Sequence, residues 1–253
     1  MMNLNLKNKN VLITGASKNI GRSIAIAMAK QEANVIVCAR DQFKLNELIN
    51  EMNQYYGNHR AFCIDLQNIE GPSELINQLK DSRTLPNIII HNLGGSLQIT
   101  NKKFSREDLE NVWNFNLGIA HEINNGLIPY MIDKNWGRII HVSSLVAKTG
   151  KGYVPYVSAK CALEGYVKAM SKFLSKRKVI MLAIAPGLVE LPDRFFTKMK
   201  NENPDKLNDF YDEHLPIRKM AKPDDIADLV CFLCSEKANY MPGAIVPIDG
   251  GGS

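Results

Sequence analysis

Short apolar runs alternate with helical patterns along almost the whole chain, and this alternation constrains the fold more than any other feature. The apolar runs that read as strands are residues 10–14, 34–39, 61–64, 87–91, 138–142, 179–185 and 244–248. Helical patterns lie between them, near residues 20–32, 42–56, 72–80, 105–132, 155–175 and 223–236. Continuously apolar strands separated by helices predict an α/β fold: a doubly wound, seven-stranded parallel sheet with helices on both faces.

A single domain is expected over residues 1–253, because neither a linker nor an internal repeat divides the chain. One long segment, residues 188–220, interrupts the alternation and follows the carboxyl end of a strand. Open α/β sheets bind their ligands at that edge, so the segment is expected to be a substrate lid. The alternative is a surface excursion without a part in binding.

Composition and charge exclude several classes of function. The chain is 45% hydrophobic and 23% charged, with a net charge of +5 at pH 7. Its lysines are scattered except in residues 168–178, and no motif or basic stripe for nucleic acid is found. Neither a signal peptide nor an apolar run of membrane-spanning length is found, so a cytoplasmic protein without nucleic-acid or membrane partners is expected.

The cysteines and histidines predict no disulfide framework and no metal site. Five cysteines are an odd number, and they come without a secretory signal. Cys231 and Cys234 form a C-x-x-C pattern, but they lie in an apolar helical stretch without a second pair, so core packing is expected. The five histidines lack the spacing of metal ligands.

A glycine-rich turn, "TGASKNIG", joins the first strand to the first helix. Backbone N–H groups at such a helix start can hold a pyrophosphate, which makes the fold Rossmann-like and dinucleotide-binding; a simple tight turn is the alternative. Asn19 replaces the usual middle glycine, and asparagine is the next most tolerant residue of positive φ. The turn residues expected to bind the cofactor are Gly15, Ser17, Lys18, Asn19, Ile20 and Gly21.

The end of the second strand favours NADP over NAD. Ala39 occupies the position where an acid would hold the adenosine ribose, and Arg40 follows it. Lys18 supplies a second cation. Asp41 is acidic, but it lies past the end of the strand. The expected cofactor is therefore NADP (NADPH), with NAD as the alternative.

Tyr156 and Lys160 lie four residues apart in "YVSAK", within a helical pattern. Residues four apart share a helix face, and a nearby positive charge favours an ionised phenol. Such a pair could exchange a proton near neutral pH. The alternative is a solvated lysine beside a packed tyrosine.

Together with these stretches, further motifs occur in an order that resembles the short-chain dehydrogenases/reductases over nearly the whole chain. They are Asp65 in "CIDL", "HNLGG", Asn116 in "NFNLG", Ser144 in "HVSS", "APG" at 185–187, "PIRKMAKPDDIA" and the closing "IDGGGS". The resemblance implies reduction of a ketone by NADPH.

The same resemblance implies roles for individual residues. Tyr156 would protonate the carbonyl oxygen, Lys160 would lower the pKa of Tyr156 and hold the nicotinamide ribose, and Ser144 would hydrogen-bond the substrate oxygen. Asn116 would carry a water in a proton relay toward Lys160. The remaining cofactor contacts implied are Asp65 and Leu66 at the adenine, Asn92 and Gly94 along the adenosine, and Pro186, Gly187 and Val189 at the nicotinamide.

Two further departures from the family pattern concern the strand and the loop near the nicotinamide. Leu191 stands where a threonine usually helps to bind the carboxamide, and Leu182 replaces a common asparagine. Neither touches the proton chemistry.

The substrate stays open at the level of sequence. A 3-oxoacyl thioester is the leading expectation, because many relatives of this length are 3-oxoacyl-[acyl-carrier-protein] reductases. Another small ketone or a sugar on a specialised pathway is the first alternative. A catalytically silent, nucleotide-sensing regulator is an alternative of another class. The resemblance also implies a homotetramer that packs through the helices at 105–132 and 155–175.

An acyl carrier protein is a further expected partner. Arg177 matches one of two arginines that bind the acidic carrier in such reductases, and it lies among Lys172, Lys176 and Lys178. The second arginine falls on Asn135, beside Lys134. The alternative is that this basic helix end only complements the helix dipole and is solvated.

Overall fold

The computed structural model describes residues 3–99, 103–192 and 195–253. They form one parallel sheet of seven strands in the order β3-β2-β1-β4-β5-β6-β7. This confirms the Rossmann-like, doubly wound sheet, and each predicted strand agrees with the observed one to within one residue at either end. The strands are β1 Asn10–Thr14, β2 Asn34–Ala39, β3 Arg60–Cys63, β4 Ile88–His91, β5 Gly137–Val142, β6 Val179–Pro186 and β7 Ile245–Ile248.

Helices cover both faces of the sheet. Their bounds are α1 Asn19–Lys30, α2 Gln42–Met52, α3 Gly71–Asp81, α4 Arg106–Trp113, α5 Ile119–Asp133, α6 Val146–Thr149, α7 Val154–Leu174, α8 Phe195–Glu202, α9 Pro204–His214 and α10 Pro223–Cys234. The helical pattern expected near 105–132 is present but divided, because a π-helical turn at Asn114–Gly118 separates α4 from α5. In that turn the Asn116 side chain forms hydrogen bonds with the backbone N–H and carbonyl oxygen of Gly95.

The two faces have separate cores, because alternate residues of each strand point to opposite sides. Val11 and Ile13 of β1 face the cluster that contains α1 and α10, whereas Leu12 faces the cluster that contains α3, α5 and α7. Cys231 and Cys234 belong to the first cluster, as expected from their apolar helix, and all five cysteines are free thiols.

The segment 188–220 is more regular than its sequence suggested, since it contains α8 and α9. These helices enclose a small third cluster formed by Met199, Leu207, Tyr211, Leu215 and Met220. A parallel bridge between Val189 and Ala221 ties the two ends of the segment together. Residues 193 and 194 of this predicted lid lie outside the described residues.

Two features are absent from the described ranges, a membrane-spanning helix and a metal-binding cluster. No helix in them has both the length and the apolarity needed to cross a bilayer. Within the same ranges, no three histidine, cysteine, aspartate or glutamate side chains converge in a way that would hold a metal ion.

Candidate active site

A cavity of about 750 Å³ opens at the carboxyl ends of the strands. The residues that directly follow β1, β4, β5 and β6 all line it, namely Gly15, Asn92, Ser143 and Gly187. This is the edge at which a doubly wound sheet binds its ligands.

The structure brings together all but one of the site residues expected from sequence. Those that line the cavity are Gly15, Ser17, Lys18, Asn19, Ile20, Gly21, Arg40, Asp65, Leu66, Asn92, Gly94, Ser144, Tyr156, Lys160, Pro186, Gly187 and Val189. The exception is Asn116, which is 3% exposed and lies behind the cavity wall.

The glycine-rich turn has the backbone that a pyrophosphate site needs. Gly15 has a φ of +64°, and Asn19 has a φ of 55°, the left-handed value that explains why asparagine can stand in for glycine there. A Cβ on Gly21 would lie 2.5 Å from Nδ2 of Asn92 and 2.6 Å from the carbonyl oxygen of Gly15. Because Gly21 has no side chain, Asn92 and the carbonyl of Gly15 can pack closely against the start of α1. This backbone arrangement fits a dinucleotide phosphate.

Asn92 holds this turn in place. Its Nδ2 donates to the carbonyl oxygens of Thr14 at 3.1 Å and Gly15 at 3.0 Å. The side chain that the family resemblance placed along the adenosine is thus bonded to the backbone of the turn. Its contribution to nucleotide binding would be indirect.

Two cations line one end of the cavity, hereafter the groove. This is the end at which the family resemblance puts the adenosine of the cofactor. The Arg40 side chain is 70% exposed and its Nη1 lies 3.8 Å from Oδ2 of Asp65. Lys18 is exposed immediately before α1. The carboxylate of Asp41 caps α2 through the backbone N–H of Lys44 and pairs with the Lys44 ammonium at 3.2 Å, and the backbone hydrogen bond lowers the pKa of Asp41.

The opposite end of the groove carries the tyrosine–lysine pair on α7. Tyr156 lies in the first turn of α7 and Lys160 one turn later, with the Lys160 Nζ 5.6 Å from the centre of the Tyr156 ring. Lys160 is 3% exposed and donates from Nζ to the carbonyl oxygen of Val142 at 2.8 Å. Burial lowers the pKa of Lys160 to about 7, and the nearby charge of Glu164 opposes this.

The two serines after β5 differ in their contacts. The Ser143 hydroxyl donates to Oε1 of Glu164 at 2.7 Å, and Ser143 is 3% exposed. Ser144 is half-buried in the cavity wall, and its hydroxyl accepts weakly from the N–H of Val146 at 3.4 Å. Ser144 is therefore the serine with a hydroxyl available to a substrate oxygen.

Asn116 supports the same region from behind. Its amide donates to the carbonyl oxygens of Gly95 and Val112, both at 2.8 Å, and its Oδ1 accepts from the N–H of Gly95 at 3.0 Å. A Cβ on Gly94 would lie 2.7 Å from Oδ1 of Asn116 and 3.2 Å from Nζ of Lys160. Gly94 therefore allows both side chains to approach, whereas the water relay through Asn116 stays a prediction.

The loop after β6 closes the nicotinamide end. Gly187 has no room for a side chain, because its Cβ would lie 2.7 Å from the Cα of Asp249. The bridge around Val189 uses the carbonyl of Leu188 and the N–H of Glu190, both bonded to Ala221. Leu191, which replaces the usual threonine, lines the cavity and presents an aliphatic side chain there.

Several cavity residues were not singled out from the sequence. They are Phe115 and Tyr153, together with Phe195 and Phe196 of α8 in the lid segment. The stretch "FFTKM" at 195–199 carries apolar residues at helical spacing, which could have indicated α8. Glu164 was also missed, although it follows Lys160 by four residues as Lys160 follows Tyr156.

Comparisons with known proteins agree with this geometry. A family model described as enoyl-(acyl carrier protein) reductase matches residues 15–253. The 3-oxoacyl-[acyl-carrier-protein] reductase FabG of Aquifex aeolicus is 30% identical in an alignment of 256 positions that covers 99% of each chain.

Two solved structures share the fold but differ in their ligands. L-sorbose reductase from Gluconobacter frateurii, complexed with NADPH and L-sorbose, is 28% identical with a TM-score of 0.91, covering 99% of this chain and 98% of that one. A 7α-hydroxysteroid dehydrogenase complexed with NADH and 7-oxo glycochenodeoxycholic acid is 27% identical with a TM-score of 0.89, covering 99% and 96%. Similar proteins therefore bind different nicotinamide cofactors and different substrates.

Proposed function

The chain belongs to the short-chain dehydrogenase/reductase family, and we propose that it reduces a ketone to a secondary alcohol with NADPH. It is an oxidoreductase that acts on C=O or CH–OH groups. The observation that carries the proposal is the buried Lys160, one turn from Tyr156 in the wall of a dinucleotide-sized cavity. A catalytically silent regulator would not need the proton donor Tyr156 beside this lysine, whose pKa burial lowers to about 7.

The reaction needs one hydride and one proton. Bound NADPH supplies the hydride to the carbonyl carbon. Tyr156 donates its proton to the carbonyl oxygen, and the ammonium of Lys160 stabilises the phenolate that Tyr156 becomes. Ser144 donates a hydrogen bond to the same oxygen as negative charge develops on it.

The proposed cofactor preference rests on Arg40 and Lys18. Both are cations at the adenosine end, and Ala39 leaves that end without the acid that would hold the ribose hydroxyls of NAD. Arginine matches the geometry of a phosphate group with two parallel hydrogen bonds. NAD stays the alternative, because a similar structure binds NADH.

A 3-oxoacyl thioester is the substrate class we favour. Apolar side chains line part of the cavity, among them Phe115, Val146, Leu188, Leu191, Phe195 and Phe196. Such a lining suits an acyl chain better than a sugar, whose hydroxyls would lose their hydrogen bonds to water. A small specialised ketone or sugar is the second candidate, supported by the similarity to L-sorbose reductase.

A panel of substrates tests the proposal, with NADPH oxidation followed by absorbance. Acetoacetyl thioesters should be reduced with the highest kcat/KM, L-sorbose poorly, and a crotonyl thioester, which offers a C=C bond in place of a ketone, not at all. Preference for L-sorbose would favour the second candidate. Reduction of the crotonyl thioester alone would replace the proposal by an enoyl reductase, and no turnover with any carbonyl compound would favour the regulator.

The surroundings of Arg177 complicate carrier docking. Tyr156 lies in the first turn of α7, whereas Arg177 lies just beyond the last turn of the same helix. Roughly 30 Å of helix therefore separates the two residues. Arg177 also stacks on Phe173 and donates to its carbonyl oxygen at 3.1 Å. Asn135 has a φ of 51°, which accounts for asparagine at that turn. A carrier docked on Arg177 would therefore have to deliver its substrate over about 30 Å, the length of α7, to reach Tyr156.

Arg177→Glu tests the carrier. The KM for a carrier-linked 3-oxoacyl substrate should rise several-fold, and the KM for the free thioester should stay unchanged, because only the carrier needs the basic patch. Lys30→Glu, an exposed charge reversal on α1, is the matched control. If Arg177→Glu changed the KM of both substrates equally, the basic residues around Arg177 would have no part in carrier binding.

The compartment is also part of the proposal. Five free thiols, three of them buried, are suited to a reducing environment. We therefore place the enzyme in the cytoplasm.

A further inference from the structure

The end of β5 is joined to α7 at two consecutive residues. The carbonyl oxygen of Val142 accepts from Nζ of Lys160 at 2.8 Å, and the hydroxyl of Ser143 donates to Oε1 of Glu164 at 2.7 Å. Residues four apart lie on the same helix face, so Tyr156, Lys160 and Glu164 form one row along α7. The row places an acid, an ammonium and a carboxylate in sequence, with the carboxylate farthest from the reacting oxygen.

Lys160 needs a source of negative charge. It is 3% exposed, and burial disfavours its ammonium form, which lowers its pKa to about 7. A neutral amine would not stabilise a phenolate on Tyr156, so the reduction slows when Lys160 loses its proton. Among the carboxylates of the described chain, Glu164 is the one whose charge raises the pKa of Lys160.

The other groups that face Lys160 do not supply this charge. His141 of β5 is fully buried, and its pKa lies well below the ordinary value because of burial. It stacks on His91 of β4 with ring centres 4.6 Å apart, and burial lowers the pKa of His91 to about 4. Both imidazoles are neutral near pH 7, Asn116 is a neutral amide, and Tyr156 is itself the reacting group.

Ser143 fixes where the carboxylate lies. Its backbone N–H donates to the carbonyl oxygen of Ile184 at 2.8 Å. This hydrogen bond to β6 holds Ser143 at the carboxyl end of the sheet, independently of α7. Glu164 is only half-buried, and without the Ser143 hydroxyl its carboxylate would be free to turn toward water. We propose that Glu164, held by Ser143, is a positioning residue that keeps Lys160 in its ammonium form beside Tyr156.

This inference rests on the proposed function for its role in turnover, and the pH profile of reduction tests it. In Glu164→Gln, the alkaline fall of kcat should move to lower pH by about one unit, while kcat on the acidic plateau stays near that of the parent. Ser143→Ala, which keeps the charge but releases it, should move the fall in the same direction by less. Glu47→Gln on α2 makes the same change in net charge on an exposed residue and should move nothing.

A second readout needs neither cofactor nor substrate. The Nζ resonance of Lys160, identified by its loss in Lys160→Met, should titrate at lower pH in Glu164→Gln than in the parent. If the parent proves inactive on every carbonyl compound, the proposed function fails while this titration still tests the inference.

Three outcomes would overturn the inference. The first is an unchanged Lys160 midpoint in Glu164→Gln. The second is a loss of kcat that is equal at all pH values, which would mark a structural role only. If Glu164→Gln does not fold, Ser143→Ala is used instead. The third outcome is then a Lys160 titration midpoint in Ser143→Ala that equals the midpoint in the parent.

Discussion

The two ends of the groove carry positive charge in opposite surroundings. The Arg40 side chain at the adenosine end is 70% exposed, whereas Lys160 at the reactive end is 3% exposed. An exposed charge acts through water and is screened by salt, but a buried charge is screened much less. A buried lysine instead titrates close to neutral pH. The same groove should therefore respond to salt at one end and to pH at the other.

The difference in burial also matches two different tasks, cofactor recognition at Arg40 and proton transfer at Lys160. Arg40 can recognise a phosphate group without any change in its own protonation. Lys160 must be able to support a phenolate, which requires a site from which water is excluded. Val142 and the pair formed by Ser143 and Glu164 compensate for part of the cost of burying it there.

The largest expected effect removes the proton donor at the reactive end. Tyr156→Phe keeps most of the packing but has no proton to donate, so kcat should fall by about 10²-fold or more while NADPH still binds. Steady-state turnover and nucleotide fluorescence measure the two parts. Tyr240→Phe, at a fully exposed tyrosine, is the control. Near-normal turnover of Tyr156→Phe would refute the mechanism.

The second prediction concerns the cost of the buried lysine. The pKa of Lys160 is about 7 in the folded protein against an ordinary value of 10.5, so the unfolded chain binds more protons between these values. Its contribution to the free energy of unfolding should therefore be unfavourable below pH 7 and be relieved as the pH rises. Relative to Lys160→Met, the parent should gain roughly 3 kcal/mol between about pH 7 and pH 9.5.

Urea unfolding of the two proteins at several pH values measures this difference. Parallel pH dependences of parent and Lys160→Met would show that Lys160 does not titrate in this window. The reactive end would then resemble the adenosine end, and the comparison between them would fail.

The third prediction reverses the charge at the exposed end. Arg40→Asp, alone or with Ala39→Asp, should lower kcat/KM for NADPH by about tenfold or more and raise it for NADH, because a carboxylate repels a 2′-phosphate and can hold ribose hydroxyls. Kinetics with both cofactors check this. Equal efficiency of the parent with NADPH and NADH would contradict the assignment of Arg40.

Nearly all the site residues that the sequence singled out line the cavity. Gly15 and Arg40 directly follow strands whose ends are set by local pattern. Helical spacing puts Tyr156 and Lys160 on one face of α7, and the family resemblance implied their roles. The Ser143–Glu164 contact was not predictable in this way, because it depends on how α7 lies against the end of β5. The π-helical turn at Asn114–Gly118 was not predicted either, and its Asn116 hydrogen-bonds the backbone of Gly95, which is distant in sequence.

The lid shows the limit most clearly. Its helices α8 and α9 are stabilised by contacts among Met199, Leu207 and Tyr211, which come from both helices. Helical spacing within each stretch could have indicated the two helices separately, but not how they pack against each other. The aromatic residues that line the cavity could not be assigned before that packing was known.

The smallest expected effect lies in this lid. Lys200 of α8 forms an exposed ion pair with Glu190 at 2.7 Å, and such pairs contribute little. Lys200→Gln should change the KM for the carbonyl substrate by less than about threefold and leave kcat unchanged. A large loss of kcat would show that lid closure, and not proton transfer, limits the reaction.

One set of kinetic measurements tests the two-ended groove directly. NADPH-dependent reduction of an acetoacetyl thioester is followed at increasing salt at neutral pH, and then at increasing pH at fixed salt. Salt should raise the KM for NADPH, with little effect on the KM for NADH and on kcat, while kcat should fall as the pH rises and Lys160 loses its proton. A kcat that depends on salt but not on pH, or a KM for NADPH that does not respond to salt, would contradict the account.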